Sequence, residues 1–369
     1  MKITILQGAF LPVPPLMGGA VEKMWFMLGK EFVRSGHEVT HISRLYKDLP
    51  AEETKDGVKH VRIKGYDTGA SALVFKFNDL RYTWRARNVI PADTDVIITH
   101  TFLAPLVSKA SIIKRMVVNV ERMPKGQMRF YSKVARYRAN SAPVADAIRA
   151  EIPANIHAKV KMIPNMLPFQ LTETPQPADK KKVLLYVGRV HPEKGLDLLI
   201  KAFRTLDTDW TLNIVGPWKL ETGGGGDAYH DQLVKLAGDR TVNFVGPVFD
   251  IAKLNEYYRE ASVFIYPSVA EKGETFGLAP LEAMAWGCAP VVSNLACFQD
   301  FIRDGKNGLI FDHRVPDAHL GLARQIRTLM DNAELRSNMA KAAIEVNTTH
   351  SLSAIADDFL SMFKQVAGK

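Results

Sequence analysis

Apolar and polar positions alternate along this chain in blocks that switch repeatedly between two periods. MKITILQGAF is a short apolar run of strand character. GGAVEKMWFMLGKEFVRSG then places apolar residues at helical spacing and ends at Gly36. HEVTHIS returns to strand character, and DTDVIITH and RMVVNV are further apolar runs bounded by polar residues. From about 167 to 182 the pattern stops, and LPFQLTETPQPADKKK reads as a linker. A second series follows. KVLLYVG, WTLNIVG, VNFVG and SVFIYPS are strand-like, with helices expected from about 195, near YHDQLVKLAG and near LNEYYREA. Continuous apolar strands separated by helices predict parallel sheets covered on both faces. The expected class is α/β, with two doubly wound Rossmann-like domains. The boundaries read as 1–168, a linker over 169–182, and 183–349. SLSAIADDFLSMFKQVAG, about 350–369, is amphipathic.

At 369 residues the chain is long enough for two cores, and its composition, 47% hydrophobic and 24% charged, is that of a folded protein. Charge changes the picture. Residues 1–168 carry 26 Lys+Arg against 14 Asp+Glu, and the remainder 22 against 25, within an overall +9. A basic first half suits a phosphate-bearing substrate or an anionic membrane surface; nucleic acid is not the expected partner. Cys288 and Cys297 are the only cysteines and read as buried thiols. The N-terminus reads as a core strand rather than a signal peptide, and no apolar run approaches the ~20 residues of a membrane span. A cytoplasmic protein is expected.

Ligands in such folds bind at the carboxyl ends of strands. After KVLLYVG come Gly188, Arg189 and, at the next helix, Lys194-Gly195. A guanidinium fork and an ammonium beside a helix start suit a diphosphate. Neither GxGxxG after a strand nor GxxxxGK[ST] is present, which weakens dinucleotide and P-loop readings. Gly223–Gly226 fits a mobile loop better than a phosphate cradle. Gly18-Gly19 opens the first helix and leaves backbone N–H groups open to an anion. In YPSVAEKGETFGLAPLEAMAWG, Glu274 ends a loop after a buried strand, and Glu282 falls about two turns into the following helix. A carboxylate on that inner face needs donors, and sugar or ribose hydroxyls would supply them.

These motifs together resemble the retaining glycosyltransferases of GT-B fold, glycosyltransferase family 4. Gly188-Arg189…Lys194-Gly195 matches G-R-x4-K-G. Glu274…Glu282 matches E-x7-E, with Tyr266-Pro267-Ser268 before it and Ala283-Met284-Ala285 and Pro290-Val291-Val292-Ser293 after it. Pro164-Asn165 matches the segment that closes the N-terminal domain. The resemblance implies two domains facing across a cleft, with residues 350–369 packing back on the first. It also implies a nucleotide-sugar donor, with Arg189 and Lys194 on the diphosphate, Glu274 on the sugar and Glu282 on the ribose. Gly188, Phe276, Gly277 and Leu278 would line the donor, and Gly19 would approach the diphosphate. A UDP-sugar is the expected donor, with GDP- and ADP-sugars as alternatives, and no further cofactor or metal is expected. Asp93-Thr94-Asp95 and Asp207-Thr208-Asp209 spell DxD but precede their strands, and read as turns.

The acceptor side is less legible. His100 ends its strand and is either an acceptor-side residue or a structural one. Many relatives carry a histidine near the reaction centre after the next strand; this chain has Glu121 there, which with His100 is a catalytic candidate on this side. The expected reaction is transfer of a hexose-type sugar to a hydroxyl of a saccharide or lipid-linked acceptor, with retention. A GT-B epimerase and a non-catalytic nucleotide-sugar-binding protein are the alternatives. In VFKFNDLRYTWRARNV, Phe75, Phe77, Leu80 and Trp84 alternate with Lys76, Arg81, Arg85 and Arg87. This segment is either a membrane-surface helix, placing the protein peripherally on the inner face, or a core helix.

Overall fold

The computed structural model describes residues 1–67, 71–171, 173, 175–176 and 180–368. The chain divides into two compact units, Met1–Phe169 with His350–Lys369, and Gln170–Thr349.

The first unit is built on eight strands: β1 (Lys2–Leu6), β2 (Glu38–Arg44), β3 (Glu52–Lys55), β4 (Val58–Ile63), β5 (Val96–Thr99), β6 (Met116–Val120), β7 (Arg136–Ala139) and β8 (Val160–Met162). Their order is β3-β4-β2-β1-β5-β6-β7-β8, parallel except for the polar edge strand β3. Consecutive strand residues point to opposite faces, so Ile97 and Val118 enter one core while their neighbours Ile98 and Val117 enter the other. That is why these strands are apolar throughout. The Ala20–Arg34 helix buries Met24, Trp25, Leu28 and Phe32 on one face. The Leu352–Ala367 helix, capped by the Ser351 hydroxyl accepting from the Ala354 N–H, packs there too. Phe359 meets Trp25 edge-on at 4.9 Å, and Phe363 meets Phe32 at 5.7 Å.

The second unit has six parallel strands: β9 (Lys181–Val187), β10 (Thr211–Val215), β11 (Val242–Gly246), β12 (Ala261–Tyr266), β13 (Ala289–Ser293) and β14 (Leu309–Phe311). Their order is β11-β10-β9-β12-β13-β14. The chain winds outward one way from β9, then reverses to begin again at β12. In the first unit the same reversal falls between β1 and β5. The expected linker over 169–182 falls partly outside the described residues, and its last two lysines, Lys181 and Lys182, open β9 as exposed positions.

Candidate functional site

The loops that follow β9 and β12 leave the carboxyl ends of the two strands flanking the reversal, where the sheet topology opens a crevice for a ligand. They touch directly. The Val269 N–H and the Ser268 hydroxyl both donate to the Glu193 carbonyl, at 2.9 and 3.3 Å. Gly195 has φ +66°, and a Cβ there would lie 2.2 Å from the Pro267 carbonyl oxygen. Only glycine lets the two loops approach so closely.

This contact brings together the residues the sequence singled out. Lys194 is buried and donates to Glu274 Oε2 at 2.8 Å, with its Nζ 5.4 Å from the Tyr266 ring centroid. Tyr266 stacks on Tyr186 at 5.6 Å, and the Tyr186 hydroxyl donates to the Arg189 carbonyl. Burial, and after it the Glu274 charge, pushes the Tyr266 phenol well above its ordinary range, so it stays a donor. Arg189 is half-exposed and forks between Glu193 Oε1 at 2.7 Å and the Gly223 carbonyl at 2.6 Å. Both cations expected on a diphosphate thus already hold a carboxylate.

The Gly223–Gly226 segment differs from the expected mobile loop. Its four N–H groups donate to the carbonyls of Leu220, Lys219, Val190 and Trp218, at 2.7–2.9 Å. A Cβ on Gly224 would lie 2.2 Å from the Trp218 backbone. The turn is pinned, and its Gly223 carbonyl accepts from Arg189.

Gly277 caps the Leu278–Ala285 helix with φ +97°, and a Cβ there would meet the Phe298 ring at 2.6 Å. Phe276 is buried against Phe301. Glu282, the fifth residue of this helix and so little more than one turn in, accepts from the Tyr258 hydroxyl at 3.0 Å, so a protein donor already serves part of the carboxylate assigned to a ribose. Tyr258 is fully buried, and burial pushes its phenol well above the usual value. Sequence reasoning missed Glu193, Tyr258 and Tyr266 as supports. Glu193 stands four residues after Arg189 in one short loop, a spacing that carried the signal.

In the first unit, Glu121 follows β6 and is the counterion of a buried arginine. Arg138, fully buried on β7, pairs with Glu121 Oε1 and also donates to Asn119 Oδ1, Asn165 Oδ1 and the Ile163 carbonyl. Asn119 and Asn140 donate to the same carboxylate at 2.9 and 3.2 Å. Asn119 also donates to His100 Nδ1 at 3.1 Å. Burial, with the Arg138 charge second, holds the His100 ring down to about 3. With Nδ1 accepting, the neutral ring carries its proton on Nε2, which is shielded and has no protein partner among the described residues. His100 can donate a bond there but cannot take a proton. Gly19, with φ +96°, starts the first helix, and a Cβ on it would lie 2.1 Å from Glu22 Oε2. The chain's own carboxylate folds over this turn, on the side chain face of the backbone expected to approach a diphosphate. Arg138 carried no sequence signal, because a charged residue in a short strand reads as an edge position.

The two DxD runs sit at the amino ends of β5 and β10. Asp93 pairs with Lys2, Asp95 accepts from the Lys2 N–H, and Asp209 pairs with Lys182. Among the described residues no three His, Cys, Asp or Glu side chains gather as a metal cluster.

Residues 170–346 match the family described as Glycosyl transferases group 1. A D-inositol 3-phosphate glycosyltransferase of Corynebacterium glutamicum is 30% identical over 188 residues, 49% of this chain and 43% of its own length. A phosphatidyl-myo-inositol mannosyltransferase of Mycobacterium tuberculosis is 31% identical over 192 residues, 51% of this chain and 48% of its own. The matched stretch is therefore under half of either relative. Among solved structures, a sucrose-phosphate synthase of Thermosynechococcus elongatus superposes with a TM-score of 0.79 at 18% identity, covering 100% of this chain and 99% of that one. Anabaena HepE, solved with UDP and glucose, gives 0.71 at 18% identity over 99% of this chain and 100% of its own. The fold is GT-B, and residues 170–346 match the glycosyl transferases group 1 family.

Proposed function

We propose that this protein is a metal-independent, retaining glycosyltransferase that moves a hexose-type sugar from a nucleoside diphosphate to an acceptor hydroxyl. The observation that carries this reading is the meeting of the β9 and β12 loops. It sets Lys194 and Arg189 against exchangeable carboxylates at a topological switch point, inside the segment that matches the family. Lys194 and Arg189 neutralise charge as it builds on the leaving diphosphate, the role a metal plays elsewhere. Glu274, released from Lys194 by the phosphate, accepts from sugar hydroxyls, and Glu282 from the ribose. The departing phosphate takes the acceptor proton, which fits a first unit whose His100 holds no free basic nitrogen. HepE was solved with UDP-glucose, which supports a UDP-sugar as donor. The relatives' names include an inositol phosphate and a phosphatidylinositol, which supports a saccharide or lipid-linked acceptor.

A thermal-shift and calorimetric screen of UDP-, GDP- and ADP-sugars, with and without EDTA, tests the donor half. Saturable stabilisation by one nucleotide class, unchanged by EDTA, is expected. Silence across the panel contradicts the assignment, and donor turnover without any acceptor would favour an epimerase.

A specific observation favours peripheral contact with an anionic membrane as a second element of the reading. The Ala72–Val89 helix exposes Leu73, Phe77 and Trp84, with Arg81 and Arg87 lying over the Phe77 and Trp84 rings. No helix of the described residues is long and apolar enough to cross a membrane.

A further inference from the structure

The amino ends of β9, β12 and β13 border a half-open cavity of about 210 Å³ in the second unit, at the opposite end of the strands from the β9 and β12 loops. Lys180 precedes β9, Ser262 is the second residue of β12, and Gly287 lies two residues before β13. The Ala333–Ala343 helix closes the other wall with Arg336 and Ser337.

The charge of this cavity is one-sided. Among the described residues no acidic side chain lines it. The Lys180 ammonium donates to the carbonyls of Tyr258 and Arg259 at 2.9 and 3.3 Å, in the last turn of the Ile251–Glu260 helix. Arg336 donates through one terminal nitrogen to the carbonyls of Leu329 and Met330, at 2.5 and 3.2 Å, in the last turn of the Ala318–Asp331 helix. Neither forms an ion pair with a carboxylate among the described residues, whereas both donor-site cations do. Helix carbonyls and the Cys288 Sγ, which lies 3.6 Å from the Lys180 ammonium, carry only partial charge, so among the described residues two full positive charges share one recess without a full counter-charge. Burial also lowers the Arg336 guanidinium from its ordinary value, so its charged form gains from a nearby anion. The remaining guanidinium edge and the Ser337 hydroxyl can donate to oxygen.

We propose that this cavity is a second anion site, which takes the phosphate group of a small phosphorylated molecule. Two cations match the charge of a phosphate dianion, and a space several times the ~30 Å³ share of one water accommodates the group with part of its carrier. Because it lies at the amino ends of the strands, it does not compete with ligands of the β9 and β12 loops.

The test is calorimetric titration of the full chain with inorganic phosphate and, separately, glucose 6-phosphate. Wild type and Lys194→Ala should bind alike. Ser337→Glu, which puts a carboxylate in the cavity while leaving both capping cations in place, should weaken binding at least ten-fold. Lys180→Gln/Arg336→Gln should do the same, and if that variant fails to fold, Ser337→Glu decides. A tighter fit for glucose 6-phosphate than for phosphate would assign the carrier; equal affinity would assign the phosphate group alone. Absence of saturable binding, binding unchanged in Ser337→Glu, or binding lost in Lys194→Ala would each overturn the proposal, the last by placing the anion in the donor loops.

Discussion

Single residues decide whether the polar groups of this fold are supports or reagents. Glu121 illustrates the difference. Its place after β6 suggested a part in the reaction, but its carboxylate is the partner of a fully buried guanidinium that also ties Asn119, Asn165 and the Ile163 carbonyl together. Removing the cation leaves a poorly solvated carboxylate and three acceptors unserved. Arg138→Met should therefore cost about 3–5 kcal/mol of stability, and adding Glu121→Gln should recover part of it. Chemical denaturation checks both, and a single variant within about 1 kcal/mol of wild type would contradict the counterion role. The residues proposed for the donor stood out in the sequence because their loops hold fixed spacings from strand ends, and the structure brings them together. Arg138 was not, since nothing local distinguishes a buried arginine paired across a sheet from an exposed one.

Elements were legible where one period ran long enough. The strands from β9 to β12 and the Ala20–Arg34 helix stand out as apolar runs or a one-sided stripe. The polar edge strand β3, the charged RYRA of β7 and the three-residue β8 and β14 do not, because sheet pairing rather than side-chain pattern makes them strands. The Ala72–Val89 helix is a mixed case. Tyr82, Ala86 and the unusual Asp79 turn into the core, while Leu73, Phe77 and Trp84 stay 81%, 57% and 51% exposed. Aromatic positions alone could not say which face was buried. If the exposed stripe rests on anionic lipid, co-sedimentation with phosphatidylglycerol vesicles should fall with salt and drop several-fold in Phe77→Ser/Trp84→Ser. Wild-type sedimentation equal to that on neutral vesicles would remove the membrane contact.

At the scale of the whole molecule, proton binding is concentrated in one unit. His41, His60, His100 and His350 all belong to the first unit, and burial holds each below its ordinary value of 6.5, His60 and His350 down to about 4. The unfolded chain therefore binds more protons as pH falls from about 6.5 towards 4, and stability is lost across that window. Asp79, pushed up to about 7 by burial, has the opposite sign, losing stability as pH rises through its range, but it is outnumbered. The melting temperature should fall between pH 7 and pH 5. His41→Leu should reduce the fall, because neither His41 ring nitrogen has a partner to lose. A flat profile, or an unchanged fall in His41→Leu, would contradict this reading. The central claim is that Lys194 and its partner Glu274 form the working donor site. The most direct measurement is turnover of the nucleotide sugar that the screen selects, compared between wild type and Lys194→Ala. Loss of one charge-stabilising donor predicts a fall of about 10²-fold, read on the folded fraction and below the variant's melting temperature, because the buried Glu274 loses its partner. Turnover within about two-fold of wild type would contradict the diphosphate role, since one lost donor of this kind costs on the order of 10².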